Sequence, residues 1–169
     1  MSNSVLVRFN LLKEKLELLR KNKCKIIIAS RGIEKQINQL LKYLGLYYYF
    51  DIVFGIQQPN GIVGVFRSKV EILEVMTNEK GVKRVFYIDD DDTEHNKFIQ
   101  NKGTRENGQL FDKWLLGNVT YSFFRHLVQN GSGLTIEQIT KISNFILNPN
   151  LAGLNSKSIG SISNKETET

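Results

Sequence analysis

Residues 24–30 read CKIIIAS, an uninterrupted apolar run closed by a small hydroxyl residue. A strand with one wet face alternates polar and apolar side chains. A run without alternation suits a strand covered on both faces, as in a parallel sheet. On its N-terminal side, residues 7–22 (VRFNLLKEKLELLRKN) carry Leu12, Leu16 and Leu19 at helical spacing, with lysines and glutamates between them. That period predicts an amphipathic helix. On its C-terminal side, IEKQINQLLKYLG repeats the period through Ile33, Ile37, Leu40, Leu41 and Leu44, and Gly45 is a suitable stop. FDIVFG (50–55) is a second short strand, and Pro59-Asn60-Gly61 supplies turn chemistry. Residues 68–80, SKVEILEVMTNEK, predict a helix with Val70, Leu73 and Met76 inward, Ser68 as N-cap and Glu71 completing a capping box. VKRVFYIDDDD (82–92) is a third strand, apolar through Val85–Ile88 and then abruptly acidic. Strands alternating with helices predict βαβ units: an α/β fold whose core is a three-layer, Rossmann-like parallel sheet.

Beyond residue 97 this alternation weakens. NKGTRENGQ (101–109) reads as loop, and 110–128 (LFDKWLLGNVTYSFFRHLV) as an aromatic-rich helix with a break at Gly117-Asn118. LTIEQITKISNFIL (134–147) reads as a helix capped by Thr135. From Asn148 the chain turns to Asn, Ser, Gly and Lys, a composition that cannot bury enough apolar surface to order itself. The expected organisation is an α/β core over 1–105, a helical region over 106–148 and a disordered polar tail over 149–169.

Composition narrows the function classes. The chain has 169 residues, 41% of them hydrophobic, and a single cysteine. It is long enough for a real core. One cysteine excludes a disulfide framework and any zinc site built on cysteine pairs. No apolar stretch approaches a membrane span, and the start, MSNSVLVRFN, has too short an apolar run for a secretory leader. These features predict a cytoplasmic protein. The net charge of +6 admits anionic partners. The lysines are spread over helical faces and turns, and the densest group, 20–25, falls where a helix C-terminus favours basic residues, so nucleic acid is a disfavoured partner.

Three features fall where an open α/β sheet places its ligands, at the carboxyl ends of strands. Ser30 closes the first strand and is followed by Arg31 and Gly32 at an expected helix start, where a hydroxyl and free N–H groups can receive an anion. A plain helix cap explains Ser30 equally. Lys69 stands in the first turn of a helix, where the macrodipole disfavours a cation. Asp89 and Asp90 open a run of four aspartates, whose mutual repulsion invites a hard cation with oxygen ligands, Mg²⁺ above all; a solvated acidic turn is the bland alternative. Glu94 would share a helical face with Asp90.

In this order, the strand ending in Ser30, the stretch LGLYYYFDIVFG (44–55), Lys69 at a helix start and the strand ending in Asp89-Asp90 with Glu94, the chain resembles the haloacid dehalogenase-like hydrolase superfamily, mostly phosphatases, over about residues 10–100. The resemblance implies Mg²⁺-dependent phosphoryl transfer. Ser30, Arg31 and Gly32 would hold phosphoryl oxygens, Lys69 would neutralise charge, and Asp90, with Asp89 or Glu94, would hold the metal. The substrate would be a phosphorylated small molecule or a phosphoprotein, because no segment here is long enough for a cap domain. The family's nucleophile is the first Asp of an Asp-x-Asp motif ending the central strand. No Asp precedes Ser30 in this sequence. Either that strand is missing, or SVLVRFN (4–10) is a degenerate version of it. In both cases the expected product is a domain without turnover, or a catalytically inactive binding module. An unrelated receiver-like α/β module is a third reading. Loss of a central strand leaves neighbouring ladders unpaired, which makes oligomerisation a natural outcome.

Overall fold

The structure is a computed structural model and describes residues 3–57, 66, 68–79, 81–89, 93, 105–107, 111–116, 118–125 and 133–148. The 59–61 turn and the 149–169 tail lie outside the described residues. The fold is mixed α/β. In chain order the elements are α1 (Asn3–Lys21), β1 (Ile27–Ile33), α2 (Glu34–Tyr43), a 3-10 turn (Tyr47–Tyr49), β2 (Ile52–Gln57), α3 (Lys69–Thr77), β3 (Arg84–Asp89), β4 (Arg105–Asn107), β5 (Phe111–Leu116), β6 (Val119–Arg125) and α4 (Ile136–Leu147).

The expectation of one parallel sheet is corrected. Among the described residues the strands form two sheets: β1 paired with β2, and a four-stranded sheet in the order β3-β6-β5-β4. β1 and β2 run parallel, with Ile28 opposite Val53 and Ser30 opposite Gly55. β3 and β6 also run parallel, with Val85 opposite Tyr121 and Asp89 opposite Arg125. β5 is antiparallel to both β6 and β4.

Two further expectations fail for identifiable reasons. SVLVRFN is not a strand but the start of α1. Val5 and Phe9 extend the stripe of Leu12 and Leu16, so the helical period begins earlier than residue 7. Phe9, Leu12 and Leu16 pack with Leu41 and Leu46, and with Ile26, Ile28 and Val53, on one face of the first sheet. Within the expected helix 110–128, residues 111–116 and 119–125 are strands, and 105–107, read as loop, is the edge strand β4. Leu116 pairs with Val119, so the antiparallel strands β5 and β6 are joined where the sequence reads as a helix break. The aromatic and β-branched content of VTYSFFR suits a pleated, buried strand.

β6 lies at the centre of the second sheet, and its faces build two cores. Tyr121 and Phe123 pack with Val85, Tyr87, Val70 and Leu73, which places α3 on that face. Phe124 packs with Phe86, Ile142, Phe145 and Ile146, which places α4 on the opposite face. α4 starts at a capping box: Thr135 Oγ1 accepts from the Gln138 N–H at 3.1 Å while Gln138 Oε1 accepts from the Thr135 N–H at 3.0 Å. α1 touches α4, and α3 touches β1 as well as the second sheet. Gly45, at φ +68°, ends α2 in the left-handed region as its position suggested.

Candidate functional site

Local chemistry explains why α3 begins at Lys69. Ser68 is extended and its Oγ accepts from the Glu71 N–H at 3.3 Å, as an N-cap should. That cap fixes Lys69 in the first turn, with Ile72 and Leu73 buried behind it. The lysine side chain runs inward rather than to solvent. Its Nζ donates to Asp89 Oδ2 at 2.8 Å, and the two side chains are only 11% and 9% exposed. Asp89 is the last residue of β3, and two residues earlier on the same face Tyr87 donates its hydroxyl to the same oxygen. A cation at a helix N-terminus is disfavoured by the macrodipole. A buried carboxylate beside it reverses that balance, because Coulomb attraction is strong where water is excluded.

The remaining expected residues are placed differently. Ser30 stays within β1, and its hydroxyl accepts from the Gly32 N–H at 3.0 Å. α2 begins at Glu34, so Ser30 is not its cap, and Arg31 and Gly32 belong to the strand rather than to a helix start. The expected helix start at residue 31 is therefore corrected by three residues. The cause is a register shift between Ser30 and Ile33, which prolongs β1 against β2. Glu34 then sits in the first turn of α2, where its charge opposes an incoming anion. The turn lies against Gly55, where a Cβ would come within 2.3 Å of the Glu34 nitrogen. Arg31 is exposed. Asp90 and Glu94 lie outside the described residues.

The structure thus joins Lys69 to Asp89 and leaves the Ser30 hydroxyl in a local contact. Tyr87 was missed at the sequence level, although the two-residue period of a strand puts it on Asp89's face. Among the described residues no group of three or more His, Cys, Asp or Glu could hold a metal ion. Asp89 alone is one carboxylate already engaged by an ammonium and a phenol, which does not fit Mg²⁺ by itself. No described helix is long and apolar enough to cross a membrane.

Two contacts at the opposite end of the strands fix the orientation of the elements. Lys25, just before β1, holds Glu79, just after α3, at 2.8 Å. Burial pushes the Cys24 thiol up, and the charge of Arg84, the first residue of β3, acts against that rise. The starts of β1 and β3 therefore lie together at the C-terminal end of α3, while its N-terminal end reaches the end of β3 through Lys69. No protein-family profile, curated protein or solved structure matches the chain.

Proposed function

We propose that this chain is an incomplete phosphohydrolase domain of the haloacid dehalogenase-like type, which binds a phosphoryl group without turning it over. The observation that carries the reading is the buried Lys69–Asp89 pair at the carboxyl end of β3. Phosphoryl chemistry asks a protein chiefly for positioned positive charge, and a lysine fixed by a carboxylate at a strand end supplies it. Helices on both faces of parallel strand pairs agree with the three-layer arrangement of such domains. By the same resemblance, Ser30, Arg31 and Gly32 receive phosphoryl oxygens, and Asp89, Asp90 and Glu94 provide the oxygen donors for Mg²⁺.

The nucleophile is what this chain lacks. Residues 3–21 are helical, so no Asp-bearing strand precedes β1 within the sequence. Asp51 stands before β2, and its carboxylate accepts from the Ile26 N–H at 2.7 Å, a structural duty. Without a placed carboxylate there is no covalent phosphoenzyme. The ligand is a phosphorylated small molecule or a phosphoprotein. The alternative reading, an inactive module that binds a partner without phosphate, is favoured by the engagement of Asp89 with Lys69 and Tyr87.

Titration with phenyl phosphate and Mg²⁺, followed by calorimetry and by release of inorganic phosphate, tests the proposal. The expected result is saturable binding that Lys69→Met abolishes, with no phosphate release. Phosphate release that disappears in Asp89→Asn would reveal a working enzyme. No binding by a chain with an intact thermal transition would favour the phosphate-free module.

A further inference from the structure

Of the exposed large apolar side chains among the described residues, two tyrosines stand out furthest, Tyr43 at 88% and Tyr48 at 82% exposed. Single apolar side chains at a surface are ordinary. Tyr48 differs in being held from below. Leu46 is buried with Leu16 and Leu41 and anchors the 3-10 turn of Tyr47–Tyr49 to the first core. The Tyr49 N–H donates to the Leu46 carbonyl at 3.0 Å. Arg20 of α1 donates from Nη1 to the Tyr48 carbonyl oxygen at 2.7 Å. The Tyr48 ring meets the ring of Tyr47 edge to face, with centroids 5.6 Å apart, and Tyr47 packs on the core. An exposed aromatic plane on a fixed backbone has little freedom left to lose on binding. We propose that this surface, formed by Lys13, Arg20, Lys42, Tyr43 and Tyr48, binds single-stranded nucleic acid, with an unpaired base stacked on Tyr48 and the adjoining phosphates on the cations. None of these residues belongs to the Lys69–Asp89 pair, so the surface stands or falls without phosphoryl chemistry at that pair.

Charge selects that partner. Lys42 Nζ lies over the Tyr47 ring, 4.7 Å from its centroid. Lys13 Nζ lies over the Phe9 ring at 4.8 Å, and 3.5 Å from where a Cβ on Gly45 would stand, at the joint between α2 and the turn. Arg20 grips the turn from the other side of Leu16 along α1. The sequence scatters these three cations over two helices, which counted against nucleic acid; the fold gathers them beside residues 42–48. A lysine over a ring keeps its charge for an outside anion in a way that a lysine held by a carboxylate does not. The acids of this part of α1 are turned to other lysines: Glu14 to Lys15 and Glu17 to Lys21, each at 3.5 Å. Asp51 lies 3.9 Å from Arg20 and also accepts from the Ile26 N–H, so it offsets only part of the arginine's charge. Exposed rings interleaved with uncompensated cations are what an unpaired strand needs, since every base has a stacking face and every nucleotide a phosphate. A duplex hides its base faces, and an acidic peptide would use the cations while leaving the rings without a partner.

Fluorescence anisotropy of a labelled oligothymidylate of about ten nucleotides, without terminal phosphates, titrated with the full chain at low salt, tests the surface. The expected result is saturable binding that Tyr48→Ala weakens roughly tenfold, the loss of one base stack. Tyr48→Phe keeps the ring and should bind like the parent chain, whereas Tyr48→Leu keeps only apolar bulk and should resemble Tyr48→Ala. Lys42→Gln should weaken binding at low salt and flatten the dependence of log K on log salt by about 0.7, one phosphate contact on a single strand. The substituted side chains are exposed, so each variant should keep the parent's thermal transition. Absence of binding by the folded chain would overturn the proposal, as would Tyr48→Ala or Tyr48→Leu binding like the parent. So would displacement of the oligonucleotide as readily by a duplex of the same length or by oligoglutamate, which would show that charge alone is read. Displacement by phenyl phosphate with Mg²⁺ would place the strand at the Lys69–Asp89 pair and overturn it too.

Discussion

β1 and β6 are both strands of seven residues, and both are rich in large apolar side chains. β6 is paired on both edges, with β3 and β5, and buries four consecutive residues, Tyr121–Phe124. Among the described residues β1 is paired with β2 alone, and it buries none of its own residues completely. Helices cover both strands, so the difference lies in the strand layer. A strand's burial depends on its lateral neighbours as much as on the faces its sequence prepares. CKIIIAS is written for a central position and holds a terminal one among the described residues.

The largest expected effect follows from this contrast. Phe123→Ala removes a ring that is 2% exposed and packed edge-on against Tyr87 at 5.3 Å. It should cost about 3–5 kcal/mol in denaturant unfolding. Ile28→Ala, at a half-buried position of β1, should cost clearly less. Equal losses would mean that β1 is as fully enclosed as β6, and the comparison would fail.

The ion pairs at the two ends of α3 offer a second contrast. Lys69→Met leaves the Asp89 carboxylate inside the protein without its cation and should destabilise by about 3–5 kcal/mol. Lys25→Met breaks a pair of similar length, 2.8 Å, but both side chains there are 44% exposed. Its expected cost is below about 1 kcal/mol, and it should shrink further in salt. A large loss for Lys25→Met would show that this pair is much less hydrated than its exposure indicates.

Much of the first half was legible because its determinants are local. The helical stripes of α1 and α2, the Ser68 cap and the apolar runs of β1–β3, like the Thr135 cap further along, all depend on residues within a turn or two of one another. The separation into two sheets was not legible, because pairing is a nonlocal choice that apolar runs do not specify. β6 was misread because a strand buried on both faces lacks alternation, and its aromatic run mimics a buried helix. Gly117-Asn118 did not discriminate, since a helix break and a two-residue hairpin share the same composition. At the candidate site Lys69 was legible through its unfavourable position. Its partner is Asp89, joined by Tyr87, because period two along β3 sets which members of the run face inward.

Gly55→Ala probes how tightly the first sheet seats the β1–α2 turn. A Cβ at residue 55 would meet the Glu34 nitrogen at 2.3 Å and the Gly32 carbonyl oxygen at 2.7 Å, both backbone atoms. The strands must separate locally, at an expected cost of about 1–3 kcal/mol in thermal or denaturant unfolding. Gly32→Ala meets the Ser30 hydroxyl at 3.4 Å, an ordinary contact, and should cost less. If the two variants unfold alike, the approach of β2 to the turn is looser than this geometry requires.

The smallest effect tests whether the feet of β1 and β3 are neighbours at all. Burial raises the Cys24 thiol, and the Arg84 charge acts against that rise by favouring the thiolate. Arg84→Gln removes the counteracting charge, so the thiol should move further up. Below that pKa a smaller fraction is then thiolate, and alkylation by iodoacetamide at pH 8 should slow, because the thiolate is the nucleophile. A partly screened charge is worth a few tenths of a kcal/mol, so the expected change is roughly twofold at low ionic strength. Molar salt should erase the difference between the variant and the parent chain. The sign carries the information. Faster alkylation would mean that the arginine side chain shields Cys24 sterically, which still requires the two feet to be in contact. An unchanged rate at low salt would place Arg84 beyond a Debye length of Cys24, and the shared foot of the two sheets would be lost with it.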